Sequence, residues 1–178
     1  MNTSEYSKNQ ENLKEFSRSI EHEIHDFEKR IRDICVVVTY DLRDDENLYK
    51  VDLVFFDELY SFFEEEKLRL AKVLTSAYTS IFSDFTSPDW YSFVHIHMED
   101  YHFAHINKMF GQYLLARNKN EGELRDTTDR PHLSARRNAM STHGRAQVED
   151  EFLAEVTTSN KKLLEEIMFL VQKTAKLI

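Results

Sequence analysis

An all-α fold, built as a four-to-six-helix up-and-down bundle, is what this sequence predicts, and three observations predict it. Only 3 glycines and 2 prolines interrupt 178 residues, so obligatory turns are few and long helices are favoured over a many-stranded sheet. Hydrophobic residues make up 41% and charged residues 31%, an ordinary globular balance. Apolar residues then recur at three- and four-residue steps through most of the chain, the period of a helix with one buried face. A chain of this length buries a substantial core as one domain. Residues 11–178 are read as that domain and residues 1–10, mostly polar, as a flexible lead-in.

The first helix is expected over roughly residues 9–40, where Leu13, Phe16, Ile20, Ile24, Phe27, Ile31 and Ile34 share one face. Its end is ambiguous. The runs "ICVVVTYDL" and "LYKVDLVFF" are rich in β-branched and aromatic residues and flank the polar turn "RDDEN", so a small β-hairpin near 35–56 also fits. Phe55, Leu59, Phe62 or Phe63, Leu70, Val73, Leu74, Ala77, Tyr78 and Ile81 mark a second long helix. In "SDFTSPDW" Ser87 suits a cap, Pro88 the first helical turn and Asp89 the positive helix end, starting a third helix that runs to about residue 117. A polar connection containing Gly122 follows. Asp129 and Pro131 then open a short helix closed by Gly144. Val148, Phe152, Val156, Leu163, Leu164, Ile167, Leu170, Val171 and Ala175 complete the pattern with a final amphipathic helix.

Charge is unevenly placed. The chain carries a formal net charge of −9 with a pI near 5.4, which argues against coating nucleic acid through bulk charge, because phosphate binding needs Lys and Arg that release counterions. Between Arg117 and Arg145, however, 7 basic residues face 4 acidic ones. That stretch is +3 while the remainder is −12, so electrostatic steering could act locally. The single cysteine, Cys35, cannot form an internal disulfide, and the polar start "MNTSEYSKNQENLKEF" does not read as a signal peptide. No apolar run approaches a membrane span. A cytoplasmic location without membrane association is expected.

The basic stretch contains "ARRNAMSTHGR". Cutting RNA needs a group that exchanges protons near neutral pH and a fixed cation for the charge that builds on phosphate, and histidine and arginine suit these roles. Arg136 and His143 lie seven apart and share a face of an ideal helix, while Arg137 sits about 120° round. Asn138 can hydrogen-bond sugar or phosphate. One histidine supplies one proton-transfer group, so two copies meeting at a symmetric interface would provide both base and acid.

"RRNAMSTHG" resembles the Arg-x(4–6)-His motif of the HEPN superfamily, with a polar residue after the arginine as in Arg137–Asn138. The spacing is five residues counted from Arg137 or six from Arg136, and the match covers about ten residues together with the helical layout. The resemblance implies a four-helix bundle, a homodimer and a metal-independent endoribonuclease in a toxin–antitoxin or phage-defence setting. It also implies an RNA substrate, an antitoxin or other protein partner, and no cofactor. The catalytic residues would be Arg136, Arg137, Asn138 and His143, and Arg130 and Arg145 would extend the RNA-binding track. Read structurally, His143 and Arg145 simply complement a helix C-terminus.

A second cluster, "HIHMEDYHFAH", offers a metal-binding reading. On an ideal helix His95, Glu99 and His102 share a face at i, i+4 and i+7, and Glu99 with His102 matches the Glu-x-x-His pair of di-iron bundles. No second Glu-x-x-His is present. A mononuclear site completed by His22 or His25 is the remaining form of this reading. The glutamates of "FFEEEKLRL" point in different directions and read as a solvated face. Glycine-rich phosphate loops, nucleophile elbows and paired-cysteine zinc sites are absent from the sequence. A noncatalytic helical interaction protein, such as a defence accessory or immunity factor, is the other reading the acidic composition supports.

Overall fold

The computed structural model describes residues 3–41, 48–112 and 145–178, with the backbone alone at 35–41, 48–53 and 145–149. Among these the chain is all-α. Helix α1 spans Thr3–Asp41, α2 Leu48–Ile81, α3 Trp90–His97 and α4 Arg145–Thr174. A π-helical turn, Met98–Phe103, carries α3 on into helical residues 104–112.

Aromatic contacts show how the helices run. At one end Phe16 of α1 meets Tyr78 near the end of α2, Phe82 just after it and Trp90 at the start of α3, with ring centroids 6.1–6.5 Å apart. In the middle Phe27 packs on Phe62 and Phe63, and Phe63 reaches Phe103 and Phe152. At the other end Phe56 meets Phe110 at 4.8 Å. Neighbouring helices therefore alternate in direction, giving the up-and-down arrangement. Edge-on and offset contacts of this kind add attraction beyond the area the rings bury.

The expected apolar stripe of α1, Leu13 through Ile31, is buried. On α2 and α4 the buried positions follow the same period, with Phe56 and Ala71 joining α2's core set and Phe82 following just after it, while Val73, Ala77, Ile81, Leu164 and Leu170 are only partly covered.

Four local expectations change. Helix α1 begins at Thr3, ahead of its expected start near residue 9, and Asn9 is buried. This end is anchored along α2, where the Asn12 amide donates to the Ile81 carbonyl at 3.3 Å. The hairpin is not formed, because residues 35–41 and 48–56 are helical and no strand occurs among the described residues. Packing decides this: Phe55, Phe56 and Leu59 bury at helical spacing, and β-propensity is weak against such contacts. The third helix starts at Trp90, capped by Asp89 rather than Ser87. The Asp89 carboxylate accepts from the Ser92 N–H at 3.2 Å and from its hydroxyl at 2.8 Å, while the Ser87 hydroxyl donates to the Pro88 carbonyl. Finally, Glu64 and Glu65 are exposed but Glu66 is buried, in ion pairs with Arg69 at 2.8 Å and Arg30 at 2.6 Å. The two arginines supply the opposite charge that lets a carboxylate leave water.

The π turn has a legible cause. Trp90, Val94 and Met98 face the core before it, and Phe103, Ile106 and Met109 after it. Met98 and Phe103 are five apart, so no single α-helical register turns both sets inward. One π turn, with its i→i+5 bonding, absorbs the slip. The chain then ends in a Schellman motif. The Leu177 N–H donates to the Gln172 carbonyl and the Lys176 N–H to the Lys173 carbonyl, with Lys176 in the left-handed region at φ 58.

Candidate functional site

The densest polar chemistry among the described residues lies in a seam between the third helical rod and α4. On α4 the apolar stripe of Phe152, Val156, Leu163 and Ile167 is interrupted by Ser159 and Asn160, both buried. Buried polar groups need partners, because an unmade hydrogen bond leaves the desolvation penalty uncompensated. Three histidines meet them.

His97, buried, faces the Glu166 carboxylate through Nδ1 at 2.8 Å and the Ser159 carbonyl through Nε2 at 3.3 Å. Both partners only accept, so the ring makes both bonds together only when it carries both protons. His102 is fully buried and tilted against Phe27 and Phe63, with centroids 5.9 and 6.0 Å away. Its Nε2–H donates to Asn160 Oδ1 at 2.6 Å, and the Asn160 amide in turn donates to Glu28 of α1 at 3.3 Å. Nδ1 of His102 has no hydrogen-bond partner. Burial pushes this imidazole down to about 4, partly opposed by the Asn160 bond and reinforced by His97 and His105, so the ring is neutral near pH 7.

His105 completes the seam. Its Nε2 lies 2.8 Å from Ser159 Oγ and its Nδ1 3.1 Å from Glu155 Oε2. Lys108 holds the other oxygen of Glu155 at 2.6 Å. Burial lowers the affinity of His105 for its proton, Glu155 opposes this, and Lys108 adds to it. Hydroxyl, imidazole and carboxylate thus stand in the order of an activated nucleophile, its base and an orienting acid. Access separates this arrangement from a hydrolase centre: Ser159 is only 4% exposed, within an unbroken helix. The seam fastens α4 to the third rod and to α1.

The metal-binding reading meets a different geometry. His95 and Glu99 do converge, but on an amine: Lys67 Nζ lies 3.2 Å from His95 Nδ1 and donates to Glu99 at 2.6 Å. Lys67 also pairs with Glu64 at 3.2 Å and sits 4.5 Å from the Phe103 ring centroid. Burial alone would make Lys67 lose its proton more readily, but its bonds to Glu99 and Glu64 outweigh that and raise its affinity. The π turn carries His102 away from the other two, into the core. His22 and His25 are exposed on α1. Among the described residues no three His, Cys, Asp or Glu side chains are grouped to hold a metal ion.

Arg130, Arg136, Arg137, Asn138 and His143, with the short helix assigned to them, lie outside the described residues. Arg145 is the first residue of α4. The motif therefore immediately precedes the final helix. Sequence reasoning missed Ser159, Asn160 and Glu166, although the gap in α4's apolar stripe at 159–160 was a usable signal. No described helix is long and apolar enough to cross a membrane. No protein-family model, curated protein or solved structure matches the chain.

Proposed function

We propose that this chain is a HEPN-like, metal-independent endoribonuclease acting as a homodimer in a toxin–antitoxin or phage-defence context. The observation that carries the reading is "RRNAMSTHG" placed directly before the last helix of an all-α chain. Arg136 or Arg137 holds the scissile phosphate, and Asn138 positions it. His143 of one copy takes the proton from the 2′-hydroxyl as that oxygen attacks phosphorus in line. His143 of the second copy protonates the departing 5′-oxygen. Arg130 and Arg145 extend the cationic track along the RNA.

The test is cleavage of RNA by purified full-length protein in the presence of a chelator, comparing wild type with His143→Ala. Wild-type cleavage should persist with chelator and leave 2′,3′-cyclic phosphate ends, while the variant should lose about 100-fold or more of the rate. Cleavage that stops with chelator, or that His143→Ala leaves intact, overturns the reading. A noncatalytic interaction protein is the second reading, favoured by the exposed side chains Leu68, Tyr91, Ile96 and Phe169.

A further inference from the structure

The polar contacts between the third rod and α4 form an antiparallel ladder. His97 meets Glu166, Tyr101 meets Lys162, His102 meets Asn160, and His105 meets Ser159 and Glu155, so residue numbers rise along the rod as they fall along α4. Three of these rungs hold an imidazole. A rung of that kind is intact only while its ring carries the protons its partners require.

The three rings differ in what a further proton does. His97 faces two acceptors, the Glu166 carboxylate and the Ser159 carbonyl, and a doubly protonated ring satisfies both. His105 accommodates either state, because its Nε2 can accept from the Ser159 hydroxyl or donate to it while Nδ1–H donates to Glu155. His102 accommodates one state alone. Its Nε2–H is satisfied by Asn160, and a proton added at Nδ1 meets no acceptor.

The surroundings of His102 do not balance an added charge. From α1 the ring meets Phe27, and Glu28 is reached only through the Asn160 amide. From α2 it meets Phe63. On α4 Glu155 and Glu166 are engaged by His105 and His97. The rod itself adds those two imidazoles, with the His97 centroid 5.7 Å away. The lysines nearby, Lys67 against Phe103, Lys108 on Glu155 and Lys162 on Tyr101, are positive as well. A charged ring held here costs free energy that water in an opened seam would return. The bundle has other supports when this side opens, since α1 packs on both α2 and α4, and α2 packs on α3.

We propose that the ladder is an acid-sensitive latch: a proton on His102 Nδ1 parts α4 from the third rod while the remaining helix pairs stay packed. The latch is independent of the RNA-cleaving reading. The closed ring takes its proton at about 4, whereas an opened ring takes it near the ordinary 6.5. Between those values the open state binds more protons, so acid favours it.

The experiment measures how fast a disulfide reagent active in acid reacts with a buried thiol of the full chain, relative to the same thiol in denaturant. In a Cys35→Ser background, Ser159→Cys reports the seam and Ala71→Cys reports the core of α2, both positions being buried. From pH 7 to pH 4.5 the relative rate at position 159 should rise about 50-fold. At pH 4.5 it should exceed the rate at position 71 by about tenfold or more, which separates a local opening from unfolding of the whole chain. His102→Gln should cut the rise to a few-fold. Asn160→Asp combined with Glu28→Gln brings a carboxylate onto the ring and should also shrink it, which keeps the test decisive if His102→Gln does not fold. Equal rates at the two positions, no rise with acid, or a rise that these variants leave whole overturns the proposal.

Discussion

His102 is the residue whose chemistry depends most on its surroundings. It takes its proton at about 4 instead of the ordinary 6.5, chiefly because burial among Phe27 and Phe63 disfavours the charged ring. Between those values the unfolded chain holds a proton that the folded chain does not. Folding stability therefore falls as pH drops below about 6.5 and levels off below about 4. By about pH 4.5 the loss from this one ring is on the order of 2 to 3 kcal/mol, measurable by urea unfolding there and near neutral pH. In His102→Gln this part of the pH dependence should vanish, leaving the slope due to the carboxylates; an unaltered slope would contradict the assignment. The presence of the histidines was plain from the sequence, but their roles were not. His95, His97, His102 and His105 differ in the residues that face them, and those residues lie 28 to 69 positions away in the chain.

At the scale of the element, periodicity located α1, α2 and α4 because each buries one stripe against its neighbours. It located their ends less well. Caps depend on one or two side chains: Asp89, not Ser87, received the Ser92 N–H, and α1 continued into a polar start because α2 lies alongside it. The end of α4 is the clearest case. Lys176 occupies a left-handed position where glycine has no steric penalty and an L side chain does. Lys176→Gly should therefore raise stability by about 1 kcal/mol, seen as a higher thermal midpoint, with the two closing hydrogen bonds kept. A lowered midpoint would mean that the lysine stem contributes more than its strained backbone removes. The π turn belongs to the same scale. The five-residue step from Met98 to Phe103 was present in the sequence, but an ideal helix was the wrong ruler for it, and the supposed common face of His95, Glu99 and His102 depended on that ruler.

At the scale of the whole molecule, α4 joins the bundle by two kinds of contact. Phe152, Val156, Leu163, Ile167 and Val171 fill the core, and Ser159, Asn160 and Glu166 receive the histidines of the third rod. Removing it would leave an apolar groove and several unpaired buried groups together, a combination the remaining helices cannot offset. A chain truncated before Arg145 should show no sharp thermal transition by circular dichroism and should bind a hydrophobic dye. A cooperative transition would show instead that α4 is an appendage.

The sequence by itself determined the all-α class, the buried stripe of each long helix and the local reversal of charge around "ARRNAMSTHGR", because these follow from residue type and short-range spacing. Tertiary structure alone decided that Glu66 is buried between Arg30 and Arg69, that Lys67 fills the space between His95 and Glu99, and that the histidines clasp Ser159 and Asn160. The physical reason is the same in each case. A polar side chain is stable inside only where a partner from another helix meets it, and which partners meet is settled by how the helices pack.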